Sequence, residues 1–157
     1  MKYDGRTCEG CSACCFSPSI AELDKGEAEW CRHCSTHKSC DIYRKRPAVC
    51  RLYTCLWLRH GFGRKPSEMG IVLDGLVLNT GERMLPVVYF SELWPGALDT
   101  EEVEGLVRYF NQTQRMAVCK NRLSPSGVYE KGSLVISEDL MSEEEAIQLR
   151  EFFRRLD

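Results

Sequence analysis

Nine of the ten cysteines in this 157-residue chain lie between Cys8 and Cys55. Chance does not produce that density, and it constrains the first third of the fold more than any apolar pattern does. Two chemistries bring cysteines so close together, disulfide bonding and metal ligation. Disulfides need an oxidising compartment. The opening stretch Met1-Lys2-Tyr3-Asp4-Gly5-Arg6 has no apolar run of the kind that directs secretion, and nowhere do about 18 apolar residues follow one another as a membrane span requires. A reducing cytoplasm is therefore the expected location, and there close-set thiols read as metal ligands.

The spacing sharpens this. Cys8-Glu9-Gly10-Cys11-Ser12-Ala13-Cys14-Cys15 repeats the C-x₂-C interval, in which a tight turn presents two sulfurs to one ion. Three thiolates at this interval suit a tetrahedral Zn²⁺ or a [4Fe–4S] cluster alike. Cys14 and Cys15 are consecutive and are expected to point apart, serving different centres unless one does not ligate. A second chelating turn is Cys31-x₂-Cys34, which Cys40 can complete. His33 and His37 are alternative ligands there or exposed loop residues. In the third group Pro47 fits the start of a helix and Gly61 its end. Cys50 and Cys55 would then lie about 140° apart on that helix, so one of them, with Cys50 preferred, is expected to bind. The other could serve a second centre or pack as a thiol. The working ligand set is Cys8, Cys11, Cys14, Cys15, Cys31, Cys34, Cys40, Cys50 and Cys55. Its working partition joins Cys50 to Cys8, Cys11 and Cys14, and groups Cys15 with Cys31, Cys34 and Cys40. Interleaved ligation, or a single centre with surplus thiols, is equally compatible with the spacing.

Charge is unevenly divided. Residues 1–66 hold 12 Lys and Arg against 7 Asp and Glu, whereas residues 67–157 hold 9 against 16. A basic half raises nucleic acid as a partner, here through Arg44, Lys45, Arg46, Arg51, Arg59, Arg64 and Lys65 with Tyr43, Tyr53 and Trp57. Thiolate-rich centres offer a competing use for the same cations, because two four-thiolate zinc sites would nearly cancel the excess. Compensation of the metal centre is the preferred reading, with Arg46 and Arg51 placed to hydrogen-bond thiolates or nearby carboxylates.

Gly61-Phe62-Gly63-Arg64-Lys65-Pro66-Ser67 is the expected boundary between a cysteine module (1–66) and a small α+β unit (67–157), unless the two form one continuous domain. In the second part Ile71–Leu78 and Met84–Phe90 predict a hairpin across 79–82. Asp99 and Glu102 predict an N-cap and its N3 partner, opening a helix with Val103, Leu106, Val107 and Phe110 on one face. Met116–Lys120 and Ser133–Ser137 predict strands, with Gly127-Val128-Tyr129 as part of another. Ser142 and Glu145 predict a capping box before a helix whose stripe is Ala146, Leu149, Phe153 and Leu156. The expected class is α+β, a loop-rich cysteine-ligated module packed on a small mixed unit. No catalytic residue can be picked out in this half, and whether the protein is an enzyme stays open.

The block Ile42-Tyr43-x-x-Arg46-Pro47-x-x-Cys50-Arg51, with the upstream Cys8-x₂-Cys11-x₂-Cys14-Cys15 and the downstream Tyr53-x-Cys55, resembles the CxxCxxCC family of zinc- or iron-chelating proteins over residues 8–58. The resemblance implies metal binding in a bacterial cytoplasm. A flagellin lysine methylase is similar in this block, but nothing here matches a cofactor site for methyl transfer. The expected function is a metal-binding protein with one or two multi-cysteine centres, holding Zn²⁺ or a [4Fe–4S] cluster and acting as a metal-dependent scaffold or metal-handling factor. An iron–sulfur redox protein or enzyme component is the alternative, and a nucleic-acid-binding zinc protein stands behind both. The partners expected are the metal ions and a protein the sequence does not specify, with no membrane.

Overall fold

The two β-rich runs pair as expected. In the computed structural model, which describes residues 4–79, 83–130, 132–137 and 140–154, β1 (Ile71–Asn79) and β2 (Met84–Glu92) run antiparallel from Ile71 opposite Glu92 to Asn79 opposite Met84. The turn expected at 79–82 reaches residues 80–82, which lie outside the described residues. β3 (Ala117–Asn121) lies parallel to β2, with Val87 opposite Ala117, because the chain returns over one face of the sheet instead of through a tight turn. β4 (Ser133–Val135) pairs back antiparallel, Val135 opposite Val118, giving a four-stranded mixed sheet in the order β1-β2-β3-β4. The fold is α+β.

Period-two alternation on β2 sends Val88 and Phe90 to one face of the sheet and Leu85 and Val87 to the other. On the first face they meet Ile71, Leu73, Val118 and the apolar stripe Val103, Val107 and Phe110 of α4 (Glu101–Arg108) and the π turn that continues it (Tyr109–Thr113). Phe90 is fully buried and Phe110 nearly so, and each contributes about 2–3 kcal/mol by removal from water. On the second face Ala117 and Cys119 are covered by Met141 and by Ala146 and Leu149 of α5 (Glu143–Arg154). The tenth cysteine is thus a core residue, 2% exposed, and burial raises its thiol to about 11.

The caps divide. Ser142 and Glu145 form the expected box, with Ser142 N donating to Glu145 Oε2 at 2.7 Å and Glu145 N to Ser142 Oγ at 3.3 Å. At α4 the cap is Thr100, whose Oγ1 accepts from Val103 N at 3.4 Å, and not Asp99. Asp99 instead pairs with Arg122 at 2.6 Å and Glu102 with Arg64 at 2.7 Å, so both acids face neighbouring segments. Val128 and Tyr129 do not form a strand; a single bridge joins Tyr129 to Leu123. Leu156, the last residue of the expected stripe, lies outside the described residues.

The expected helix over 47–61 is two short helices, α1 (Ala48–Leu52) and α2 (Leu56–His60). Tyr53 and Cys55 between them take extended ψ values of 129° and 161°. The break lets two side chains reach the sheet: the Tyr53 hydroxyl hydrogen-bonds Asp74 on β1, and Leu56 packs against the first core. The 61–67 boundary does not act as a spacer. Phe62 packs on Phe110 with ring centroids 4.9 Å apart. A four-residue helix, α3 (Pro66–Met69), then leads into β1 through Gly70, whose φ of +82° and lack of Cβ are both required, since a Cβ would stand 2.5 Å from the Trp94 ring. No helix among the described residues is long and apolar enough to cross a membrane.

Candidate metal centre

Residues 4–60 contain little regular structure, with single 3₁₀ turns at Ala13–Cys15, Ala21–Leu23 and Tyr43–Lys45 before α1. Apolar burial is sparse here: Ala13, Phe16, Ile20 and Leu58, with Cys31 and Cys34, are the buried hydrophobic residues. Backbone hydrogen bonds do the local folding. Cys11 N donates to the Cys8 carbonyl at 3.0 Å and Cys34 N to the Cys31 carbonyl at 2.9 Å, so both Cys-x₂-Cys segments form the tight turns that the spacing predicts. Cys31 N donates to the Cys15 carbonyl at 2.8 Å and ties the second turn to the end of the first. Asp41 N donates to the His33 carbonyl at 2.8 Å, which brings Cys40 back beside Cys34.

These turns enclose one cavity of about 780 Å³ lined by Cys8, Cys11, Cys14, Cys15, Cys31, Cys40, Cys50 and Cys55. Cys34 is 1% exposed and lies behind this wall, hydrogen-bonded with Cys15. All nine clustered cysteines are therefore brought to one end of the molecule, while Cys119 sits in the sheet core. All ten are free thiols. Among the described residues no three His, Cys, Asp or Glu side chains already stand at coordinating geometry; the sulfurs surround the cavity.

Cys14 and Cys15 do not point apart as expected. Their sulfurs share a hydrogen bond, which lowers the Cys14 thiol to about 7 against the effect of its burial, helped by the charges of Arg46 and Lys25. The same bond keeps the proton on Cys15, whose thiol is raised, with burial adding to the rise. Burial raises the thiols of Cys8, Cys34, Cys50 and Cys55, the last to about 11.

One cation that the sequence did not single out, Lys25, and two that it named, Arg46 and Lys65, act on the thiols through their charge. Lys25 is 6% exposed, with its Nζ donating to the carbonyls of Phe16 at 2.9 Å, Gly26 at 2.8 Å and Pro18. Its charge acts on Cys14, Cys15 and Cys31. Lys65 donates to the Glu9 carbonyl and its charge lowers the Cys8 thiol. Arg46 lies against the Tyr43 ring, 4.0 Å from its centroid, and its charge reaches Cys8, Cys14 and Cys50. Its Nε is buried without a hydrogen-bond partner. Sequence alone signals Arg46 by its place among the cysteines, but nothing in the local pattern marks Lys25 as buried. The histidines stand aside: His37 is exposed and stacked on Trp30 at 4.0 Å, and neither His33 nor His37 lines the cavity.

No family model, curated protein or solved structure matches the chain.

Proposed function

We propose that this chain is a cytoplasmic metal-binding protein whose cysteine-rich end is organised by one or two multi-thiolate centres. The observation that carries the reading is the single cavity walled by eight cysteines with a ninth directly behind it. The donor set fits a thiophilic cation, Zn²⁺ or the iron of a cluster, and fits a hard cation poorly, since no carboxylate other than Glu9 lines that cavity. Three further features support the reading. The clustered thiols are free, the charges of Lys25, Arg46 and Lys65 act on them, and the buried Arg46 Nε lacks the acceptor that a metal-bound sulfur would supply. Residues 4–60 also bury too few large apolar side chains to hold their turns without help, and ligation would supply that cohesion.

Within this reading the protein acts as a metal-dependent scaffold or metal-handling factor. One observation supports the second reading, an iron–sulfur redox protein or enzyme component. The Cys8–Cys11 turn is closed at 3.0 Å and its C-x₂-C interval repeats to Cys14, a spacing that carries a [4Fe–4S] cluster as readily as zinc. Elemental analysis with a visible spectrum, on protein purified without oxygen, tests both. Colourless protein with one or two zincs per chain supports the scaffold. Brown protein with about four irons and four sulfides per cluster supports the redox reading. Folded, monodisperse protein with no metal and nine alkylatable clustered thiols overturns the whole proposal.

A further inference from the structure

The break between α1 and α2 changes which cysteine can complete the first centre. On one continuous helix Cys50 and Cys55 would compete for a place; on two helices joined by extended residues they are positioned independently. Cys55 is the N-cap of α2, and α2 is fixed from two sides. Leu56 packs into the sheet core beside Gly75, and Arg6 Nε donates to the Leu58 carbonyl at 3.2 Å. Arg6 lies two residues before Cys8, so this hydrogen bond brings the first chelating turn to the start of α2. Cys50 lines the same cavity from α1, whose other four residues are exposed, Val49 to 46% and Leu52 to 80%.

Resting on the metal-binding reading, we propose that Cys55 completes a centre with Cys8, Cys11 and Cys14, that Cys15, Cys31, Cys34 and Cys40 form the second, and that Cys50 stands at the seam as the ninth thiol, outside both. Two closed tetrahedral centres use eight sulfurs and leave one. The one left is on α1, whose other four residues are exposed, so an incoming metal or a partner's metal site can approach it there. Cys50 is then the thiol available for exchange, and the other eight are the store.

The test is site-resolved alkylation of the anaerobically purified full chain with iodoacetamide, read by peptide mass spectrometry alongside metal content. In the parent protein Cys50 is expected to be labelled with no release of metal, while the other eight clustered thiols are protected. Cys50→Ala is expected to retain all the metal. Cys55→Ala is expected to lose half, with Cys8, Cys11 and Cys14 becoming labelled and Cys15, Cys31, Cys34 and Cys40 staying protected. Protection of Cys50 in the parent, or halved metal in Cys50→Ala with full metal in Cys55→Ala, overturns the assignment and leaves metal binding standing. Labelling of all nine in a metal-free parent overturns metal binding itself. The parent footprint decides between these outcomes even if a variant fails to fold.

Discussion

The backbone N–H of Cys31 donates to the Cys15 carbonyl at 2.8 Å, so the second chelating turn hangs from the residue that ends the first. Loss of either turn should therefore loosen the whole end of the molecule while sparing the sheet. Cys34→Ser and Cys11→Ser are each expected to lower bound metal by about half. Hydrogen exchange should quicken across residues 4–60 and stay slow across β1 and β2. Normal metal content in either purified variant would remove that residue from the ligand set.

Complete metal removal should separate the two parts in the same way. A chelator under reducing conditions is expected to abolish protection over residues 4–60, where the proposed ligation would supply the cohesion. The tryptophan signals should divide, Trp30 and Trp57 changing and Trp94, packed beside Gly70, changing little. Unchanged near-ultraviolet circular dichroism after metal loss would contradict this.

Lys25→Met tests the caged ammonium. Three carbonyls lose their donor at a position 6% exposed, and the expected cost is about 2–4 kcal/mol in urea denaturation of the metal-loaded protein. Lys25→Arg should not rescue it, since a planar guanidinium cannot direct three N–H groups at carbonyls converging on one point. A cost below about 0.5 kcal/mol would assign Lys25 no structural role.

Glu92 holds the unit that the cysteine end leans on. Its carboxylate, 1% exposed, accepts from Leu98 N at 2.9 Å and Leu123 N at 2.8 Å. Glu92→Ala leaves two buried donors unpaired and should cost about 2–4 kcal/mol. Glu92→Gln keeps one acceptor oxygen and should cost less. The order of the two melting temperatures is the readout.

Alkaline pH should weaken the second core through Cys119. Burial raises its thiol from the ordinary value of 9.0 to about 11. In the unfolded chain the thiol therefore ionises first. Its contribution is complete below pH 9 and is lost as pH rises from 9 to 11. Cys119→Ala should flatten the stability–pH slope over that window. Tyr89 and Tyr129, raised to about 12 by burial, keep their own share of the loss. An unchanged slope would show that Cys119 does not ionise in this range.

The sheet was legible because its strands carry their own period. Ile71–Leu78 and Met84–Phe90 are close to β1 and β2, and the Ser142–Glu145 box is formed as read. What failed was local pattern set against distant partners. Asp99 could cap α4, but Arg122 takes it, and Thr100 caps instead. Pro47 and Gly61 could bound one helix, but Tyr53 and Leu56 must both reach β1 and its core, so the helix breaks between them. The two Cys-x₂-Cys turns could be read from spacing because they are short-range. Which cysteines stand near α2 could not, because it depends on where that helix docks. Lys25 and Glu92 carried no signal: a buried charge satisfied by backbone groups looks in sequence like any solvated one.

Leu56 and Phe62 rest on a sheet core whose last contributing strands are β3 and β4, so the surface that seats the cysteine end is synthesised after it. At ~5–20 residues per second, residues 56–135 take on the order of 4 to 16 s to emerge. For that interval nine thiols exist on a nascent chain with nothing to dock against. Each is open to oxidation or to the wrong metal. Under the proposed metal binding, the order of the chain sets metal capture, or shielding of the thiols, ahead of the sheet that seats them.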